Sequence, residues 1–518
     1  MMPKRRHRPS AAPSASPRPA QARRWAGGAA LALTLLAVLV SGCALTSPPR
    51  AVSAEPPARW FASLPATQAA TSATLDTAST LPHNGQLSDL SDWWAQQGDP
   101  LLAELVAAAQ AVSPTVASAR SRIAQARAAQ VASGAALLPT LDAQAAASRS
   151  RAQPTGAGLA PIASVLQLGL QTAWEIDVFG RNRAGQDAAS ERLAASGALW
   201  HDARVSVAAE VASRYYSYAS CRELEAITRA DATSRLETAR LTDLSAAAGF
   251  IAPATAALGR ASAAEANARL TEQAASCEQG IKALVALSGL NEPDLKKKLA
   301  ATQSGRDQAA PITIATVPAQ MLAQRPDVFS AAREVAAASD EIGSLDAERY
   351  PRLTLSGSVG AARGRSGGVS ASFETWAIGP LALTLPLFDG GRRAANVEAA
   401  KARYDAAAAS YRASVRQAVR EVEEALVNLQ SSAARDGDAQ QAVAGYQASL
   451  TGTQALYKNG LASLIDLEDG RRRLLAAQTT LALLQQTRNI ATVSLYRALG
   501  GGWTPALASP AGHPGNGS

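Results

Sequence analysis

Between Arg392 and Gly500 the sequence repeats small and apolar residues with the alternating spacing of three and four that defines a heptad. Such spacing places these residues along one side of an α-helix, where they form the seam of a coiled coil. The outgoing helix carries two rows: Tyr404, Tyr411, Ala418 and Ala425, and Ala408, Val415, Val422 and Leu429. The returning helix carries Leu467, Leu474, Leu481 and Leu495, with Arg488 interrupting the row. The pattern predicts two long antiparallel helices joined at Asn459-Gly460.

The chain also repeats itself with an offset of 211 to 213 residues. Matching pairs are Pro114 with Pro326, Arg120 with Arg333, Pro139 with Pro351, Gly249 with Gly460, Arg260 with Arg471, and Leu287 with Leu499. This register predicts two copies of one unit, each with a helix, two strands and a long hairpin. The opening helix is expected from Asp99-Pro100 through Arg127 in the first copy and from Val317-Pro318 in the second. Each ends before the following proline, which cannot continue a helix.

Stretches in each copy alternate apolar with small or polar residues, the two-residue period of a β-strand with one apolar face. The apolar positions are Leu166, Leu168, Leu170, Trp174 and Ile176 in the first copy, and Leu353, Leu355, Val359, Leu381, Leu383, Leu385 and Leu387 in the second. This alternation is typical of outer-membrane barrels, although a soluble sandwich with one wet face shows it too. Four strands per chain cannot enclose a pore, so several chains are expected to contribute.

The N-terminus has the pattern of a secretory signal: a basic segment, an apolar run from Trp25 to Val40, and small residues before Cys43. The sequence Leu39-Val40-Ser41-Gly42-Cys43 resembles a bacterial lipobox, in which the cysteine is acylated and becomes the first residue of the mature protein. Ala44 follows instead of Asp, and the resemblance therefore implies the outer membrane. A transmembrane anchor with an incidental cysteine is the alternative, but the run is shorter than the about 20 residues that a span requires.

The predicted organisation is a signal peptide over 1–42, a lipid-anchored extended linker over 43–88, a first repeat over 89–300, a second repeat over 301–503 and a disordered tail over 504–518. The linker is rich in Ala, Ser, Thr and Pro, and the tail in Pro, Gly and Ser. In the first repeat, the outgoing helix of the hairpin is expected from Arg183 to about Ala247, on the order of 100 Å long.

Cys221 and Cys277 lie at equal distances from Gly249, a candidate hairpin tip. Residues equidistant from a tip face each other on antiparallel helices, and a secreted protein meets an oxidising compartment. A disulfide and two separate buried thiols both agree with this pattern.

The net charge of +8 does not indicate nucleic-acid binding, because residues 1–42 hold seven basic residues and no acid, and their removal leaves +1. The four histidines are scattered, and no His, Cys and carboxylate cluster has metal-ligand spacing. No glycine-rich loop opens a helix in phosphate-binding fashion, and no nucleophile motif is present. We therefore predict no enzyme, no catalytic or metal site, and no cofactor beyond covalent lipid on Cys43.

An ordered set of short motifs carries a family resemblance from Trp93 to Trp503. The motifs are Leu322-Ala-Gln-Arg-Pro-Asp-Val, Glu348-Arg-Tyr-Pro, Leu385-Pro-Leu-Phe-Asp-Gly-Gly, Glu421-Val-Glu-Glu-Ala-Leu, Tyr457-Lys-Asn-Gly and Leu495-Tyr-Arg-Ala-Leu-Gly-Gly-Gly-Trp. Together they resemble the TolC/OprM/NodT outer-membrane efflux lipoproteins. The resemblance implies an α+β membrane protein whose homotrimer forms a twelve-stranded β-barrel and a twelve-helix periplasmic tunnel. It also implies two partners, a periplasmic adaptor and an inner-membrane pump.

In such proteins, acidic residues ring the closed periplasmic aperture. The matching positions here are Asp466 and Asp469, which lie three residues apart and hence on one helix face. Three chains would place six carboxylates round the opening, although a solvated acidic helix turn gives the same local sequence. The resemblance also places Gly249 and Gly460 at the hairpin tips that meet the adaptor, but a simple chain reversal explains a glycine there equally well.

The predicted function is a passive outer-membrane conduit for small molecules in a tripartite efflux pump. Alternatives are an outer-membrane channel for protein secretion, a lipid-anchored periplasmic adaptor, and a structural coiled-coil lipoprotein. An adaptor would have one hairpin and a lipoyl-type β-domain, and a structural lipoprotein would need no alternating strands.

Overall fold

The computed structural model describes residues 47–54, 56–57, 60–62, 94, 99–151, 162–301, 322 and 325–503. The predicted signal peptide, Cys43 and the predicted tail lie outside these residues. The first unit contains α1 (Pro100–Val112), α2 (Pro114–Ala135), β1 (Thr140–Arg151), β2 (Ile162–Ile176), α3 (Arg181–Ala247), α4 (Pro253–Ser288) and α5 (Glu292–Ala301). The second contains α6 (Pro326–Ala347), β3 (Arg352–Ser366), β4 (Val369–Thr384), α7 (Arg392–Lys458), α8 (Leu464–Ala498) and a 3₁₀ turn at Gly500–Gly502.

Two long hairpins, α3 with α4 and α7 with α8, dominate the molecule. The outgoing helices α3 and α7 contain 67 residues each, which corresponds to about 100 Å at 1.5 Å per residue. The heptad rows predicted for α7 include its buried residues Ala408, Val415, Ala418, Val422 and Ala425. Because these side chains are small, the hairpins are held by thin seams rather than by a thick core.

The opening helix of the first unit is broken, contrary to the single helix predicted from Asp99-Pro100 through Arg127. α1 ends at Val112, α2 begins at Pro114, and the two helices bend by 50°. Pro114 has no N–H to continue α1, and the side chain of Ser113 accepts a hydrogen bond from the backbone N–H of Val116 at 3.4 Å. No single described helix is long and apolar enough to cross a membrane, and this bent pair passes that test by length and composition only.

The four strands form one antiparallel sheet in the order β1-β2-β3-β4. Cross-strand partners share a face, so the pairing Ala143–Leu170–Val359–Trp376 places these four side chains together. This face is apolar and exposed, with Leu168 at 64% and Trp376 at 76%. The opposite face carries polar side chains, among them Asp142, Gln144, Gln171, Ser358 and Thr375. The two-faced alternation predicted from the sequence is confirmed.

β4 is shorter than the alternation predicts. It ends at Thr384, so Leu385 and Leu387 lie beyond the sheet. Pro386 separates these two leucines, and a proline cannot donate the backbone hydrogen bond that a ladder requires.

The largest core cluster lies where α1, α3, α4, α5 and α8 meet. Its buried members include Trp94, Leu102, Leu105, Val211, Tyr215, Leu284, Leu295 and Tyr496. At the start of α6, buried Arg325 donates to the carboxylates of Asp327 at 2.7 Å and Glu421 at 2.8 Å, and to the carbonyl oxygen of Ala498 at 2.9 Å. One guanidinium thereby joins α6, α7 and α8.

The described parts of the predicted linker form no helix or strand, and they lie against the helices. Arg50 contacts the carboxylates of Glu191 at 2.8 Å and Asp340 at 2.9 Å. Further along, Trp60 is buried against Val422, Leu426 and Leu499. These described residues therefore lie along the helices.

Cys221 and Cys277 are joined by a disulfide between α3 and α4, with their Cα atoms 5.5 Å apart. Of the two alternatives that the sequence leaves open, the structure contains the bonded one. The bridge clamps the first hairpin at 28 residues from Gly249, about 40 Å along a helix.

Candidate functional site

Each hairpin reverses at a glycine in the left-handed conformation, Gly249 with φ of 78° and Gly460 with φ of 73°. The residue after each glycine donates its backbone N–H to the carbonyl five residues earlier: Phe250 to Ser245 at 2.9 Å, and Leu461 to Leu456 at 2.9 Å. This is the Schellman ending, which satisfies the last carbonyl groups of a helix. The structure thus places the two predicted tip glycines at equivalent chain reversals.

The tips expose apolar side chains that the sequence motifs do not single out. Phe250 is 83% exposed, Leu461 is 74% exposed and Ile465 is 67% exposed. Phe250 and Leu461 directly follow the two glycines and are separated by the repeat offset of 211, a signal that could have identified them. Exposed apolar side chains at the end of a long hairpin are suited to contact with another protein.

Asp466 belongs to the cap at the start of α8. Its carboxylate accepts a hydrogen bond from the backbone N–H of Ser463 at 2.9 Å, and Ser463 Oγ accepts one from the backbone N–H of Asp466 at 3.2 Å. This reciprocal arrangement is a capping box. Hydrogen bonds from Ser463 to the carboxylate lower the pKa of Asp466 below its ordinary value.

Asp469 lies one turn further on and contacts two arginines, Arg472 and Arg473, the latter at 2.6 Å. The hydrogen bond from Arg472 is the main cause that lowers the pKa of Asp469. The two acidic residues predicted as aperture residues are therefore ionised, but one caps a helix and the other is paired with cations.

Tyr457, for which the sequence leaves a cross-helix hydrogen bond and simple packing open, is partly buried against the apolar cluster of Leu450, Leu464, Leu467 and Leu474.

Glu468 bridges the two hairpins. Its carboxylate contacts Arg235 of α3, accepts from Ser262 Oγ of α4 at 2.6 Å, and pairs with Arg471 of α8 at 2.8 Å. Arg471 in turn donates to Thr238 Oγ1 of α3 at 2.8 Å.

Both arginines of this bridge are buried, Arg235 with its side chain 7% exposed and Arg471 6% exposed. Buried charges need such partners, because an unpaired one is strongly destabilising. The bridge is not among the contacts predicted from the sequence. The signal for it is Arg471, a charged residue at a seam position between Leu467 and Leu474.

The fold and these tips define a class of protein: a membrane channel subunit with a sheet that exposes one apolar face and about 100 Å of helical hairpin beyond it. The comparisons with known proteins agree. The family described as outer membrane efflux protein matches residues 105–290 and 317–501. The toluene efflux pump outer membrane protein TtgI of Pseudomonas putida is 30% identical over 414 residues, which cover 78% of this chain and 86% of that protein.

Two further proteins are similar over most of their length. The outer membrane protein OprJ of Pseudomonas aeruginosa is 32% identical over 376 residues, 71% of this chain and 77% of that protein. The crystal structure of the outer membrane protein VceC from Vibrio cholerae matches with a TM-score of 0.69 and 27% identity, covering 79% of this chain and 98% of that one.

The chain belongs to the outer membrane efflux protein family. This result confirms the predicted channel function, the α+β fold, the outer-membrane location and the absence of an enzymatic role.

Replacement of Glu468 by glutamine should loosen the contact between the hairpins. The neutral amide would leave the buried guanidinium of Arg471 without an anion and that of Arg235 with Asp231 alone, at a cost on the order of 3 kcal/mol. Hydrogen exchange should then be faster near Arg235 and in the first turns of α8. Glu265→Gln is the matched control, because Glu265 is 74% exposed and lies 3.8 Å from Arg269. Equal exchange in the two variants would contradict a structural role for the bridge.

Proposed function

We propose that three copies of this chain form one conduit, with twelve strands closed as a barrel in the outer membrane and twelve long helices forming a tunnel in the periplasm. The observation that carries this proposal is the sheet. It has an apolar exposed face and two open edges, β1 and β4. Pairing β1 of one copy with β4 of the next removes the edges and encloses the polar face.

The apolar face has the height of a membrane. From Leu166 to Ile176, β2 rises about 33 Å along its own axis at 3.3 Å per residue. A strand tilt of about 40° reduces this to about 25 Å, the apolar band of outer-membrane barrels. Leu166 and Leu168 would then face lipid, while Gln167 and Gln171 would face the water-filled interior.

Cys43 anchors the N-terminus in the inner leaflet through its lipid. The course of the following segment supports this assignment. Ser47 contacts α6 at Gly343, where an added Cβ would lie 2.8 Å from Ser47 Oγ, and α6 ends at Ala347 just before β3. Four residues of extended chain span up to about 14 Å, so Cys43 can reach the membrane at the base of the sheet.

The hairpin tips bind a periplasmic adaptor, which connects the conduit to an inner-membrane pump. Phe250, Leu461 and Ile465 supply the apolar contacts, and Gly249 and Gly460 supply the tight reversals that present them. The cargo is small molecules, in line with the toluene efflux pump to which TtgI belongs. Protein secretion remains a second use of such a conduit that no feature of the described residues favours.

Asp466 and Asp469 lie at the periplasmic aperture, where three copies bring six carboxylates together. The segment from Ser463 to Arg473 also contains Glu468 and three arginines, Arg471, Arg472 and Arg473, so its formal charge is zero. The attraction for cations therefore depends on the geometry of the ring and not on an excess of acid.

If the chain forms this conduit, two neighbouring residues of β2 should differ in their tolerance of substitution by arginine. Leu170→Arg places a charge against lipid near the middle of the band and should cost about 2–4 kcal/mol per chain, so little trimer should form. Gln171→Arg places the same charge in the interior and should leave the trimer intact with reduced cation conductance. Light scattering and planar-bilayer recordings measure both properties. A wild-type species of one chain without conductance would overturn the proposal, and equal behaviour of the two variants would favour a soluble sheet.

Lipidation predicts that the chain incorporates radiolabelled palmitate in cells and that Cys43→Ser abolishes the label, because no other residue can take the acyl chains of a lipobox. Cys277→Ser is the control and should keep the label. A label that persists without Cys43 would rule out this anchor.

We expect Asp466→Asn with Asp469→Asn to weaken block by multivalent cations in single-channel recordings, because the double variant removes the six carboxylates of the ring and leaves the segment at +2 per chain. Because the pKa of each carboxyl is lowered, block of the unmodified channel should persist from about pH 7 to about pH 5. The control is Asp438→Asn, which removes an exposed acid of α7 that lies 22 residues before Gly460, and it should leave the block unchanged. Unchanged block in the double variant would remove both residues from the aperture.

A further inference from the structure

Four arginines lie at the end of the sheet that is remote from the helices. Arg149 and Arg151 end β1, and Arg363 and Arg365 end β3. The register Arg149–Ser164–Arg365 and the pairing of Leu166 with Arg363 place all four on one face. It is the apolar face that carries Leu166 and Leu168.

The other face has a different composition at the same height. There β1 carries Ser148 and Ser150, and β3 carries Gly364 and Ser366. Arginine therefore alternates with small uncharged residues in both strands, and the positive charge is confined to one side of the sheet. A solvated hairpin end would not require this segregation.

The arginines have no ion pair with any other described residue, and their side chains lie at the open surface of the sheet. One acid, Glu374, lies on the same face, opposite Ala361 and one row nearer the helices than Arg363. The described residues at this end of the apolar face thus have an excess of three positive charges per chain.

We propose that these four arginines form a binding site for the phosphate groups of the phosphorylated glycolipid, lipopolysaccharide, in the outer leaflet. This inference rests on the proposed function, which places the helices in the periplasm and the remote end of the sheet at the outer leaflet. The arginines begin where the leucines of the apolar band end, so their guanidinium groups lie at the level of lipid headgroups.

The chemistry of the side chain favours this ligand. A guanidinium binds phosphate with two parallel hydrogen bonds and holds its charge at every physiological pH. A charged side chain on the lipid face is least unfavourable near the interface, where it can extend towards the headgroups. Arg149 and Arg365 share one cross-strand row on β1 and β3. These two strands flank β2 and are about 10 Å apart, so one headgroup with two phosphates can contact both of them.

The test uses the purified full-length channel in detergent and lipopolysaccharide as the probe, with binding followed by native mass spectrometry. Replacement of all four residues, Arg149→Gln, Arg151→Gln, Arg363→Gln and Arg365→Gln, should weaken binding about tenfold or more. The pair Arg149→Gln with Arg365→Gln, which removes one cross-strand row, should give an intermediate loss. The control is Arg352→Gln, at the opposite end of the sheet and 3.5 Å from Glu175, which should bind like the wild type.

Dephosphorylated glycolipid should bind the wild-type channel as weakly as the fourfold variant binds the intact lipid, and inorganic phosphate should not displace the lipid. Equal affinity of the wild type and the fourfold variant would overturn the site, as would undiminished binding of dephosphorylated lipid. The conductance and mass of each variant show whether the binding site or the proposed conduit has failed. A variant that forms a normal channel and binds normally refutes the site alone, whereas a wild-type chain that forms no channel refutes the conduit.

Discussion

The four-stranded sheet by itself leaves backbone groups unpaired at its edges and apolar side chains exposed on one face. The rest of the architecture depends on this constraint. Among the described residues, β1 and β4 each leave one row of backbone groups without a neighbouring strand. The same sheet exposes Leu168 and Trp376 on one face. In hydrocarbon, each unpaired backbone group costs several kcal/mol. In the proposed trimer, pairing with further copies would remove the first cost and contact with lipid the second, and neither would remove both alone.

The helical hairpins face a different constraint, because they are long and have only a thin apolar core to hold them together. Alanine seams bury little area per residue, so the hairpins are held at separate points along their length. The disulfide of Cys221 and Cys277 clamps α3 to α4. Arg325 joins α6, α7 and α8 near the middle of α7, and Glu468 joins α3, α4 and α8 near the tips. Each joint is polar and directional, so it fixes the alignment of long elements that a smooth apolar seam would allow to slide.

Much of this organisation could be predicted because its signals are local. Heptad spacing identified the hairpins, alternation identified the two faces of the sheet, and the repeat offset related Gly249 to Gly460. The errors were also local. Ser113-Pro114 is a cap followed by the first residue of a helix, yet a continuous helix was expected there, and Pro386 should have ended β4 before Leu385.

The sequence by itself determined where the long hairpins and three of the four strands lie and which of their faces are apolar, because periodicity along the chain specifies both. Only the tertiary structure decided which residues meet. Arg235 and Glu468 are 233 positions apart, and the local sequence around each residue does not indicate that the other is its partner. The cysteines likewise agreed with a bond or with two thiols until the separation of α3 and α4 was known. The spacing of apolar residues along the sequence indicates that a side chain is buried, but the packing of separate elements determines which residue it contacts.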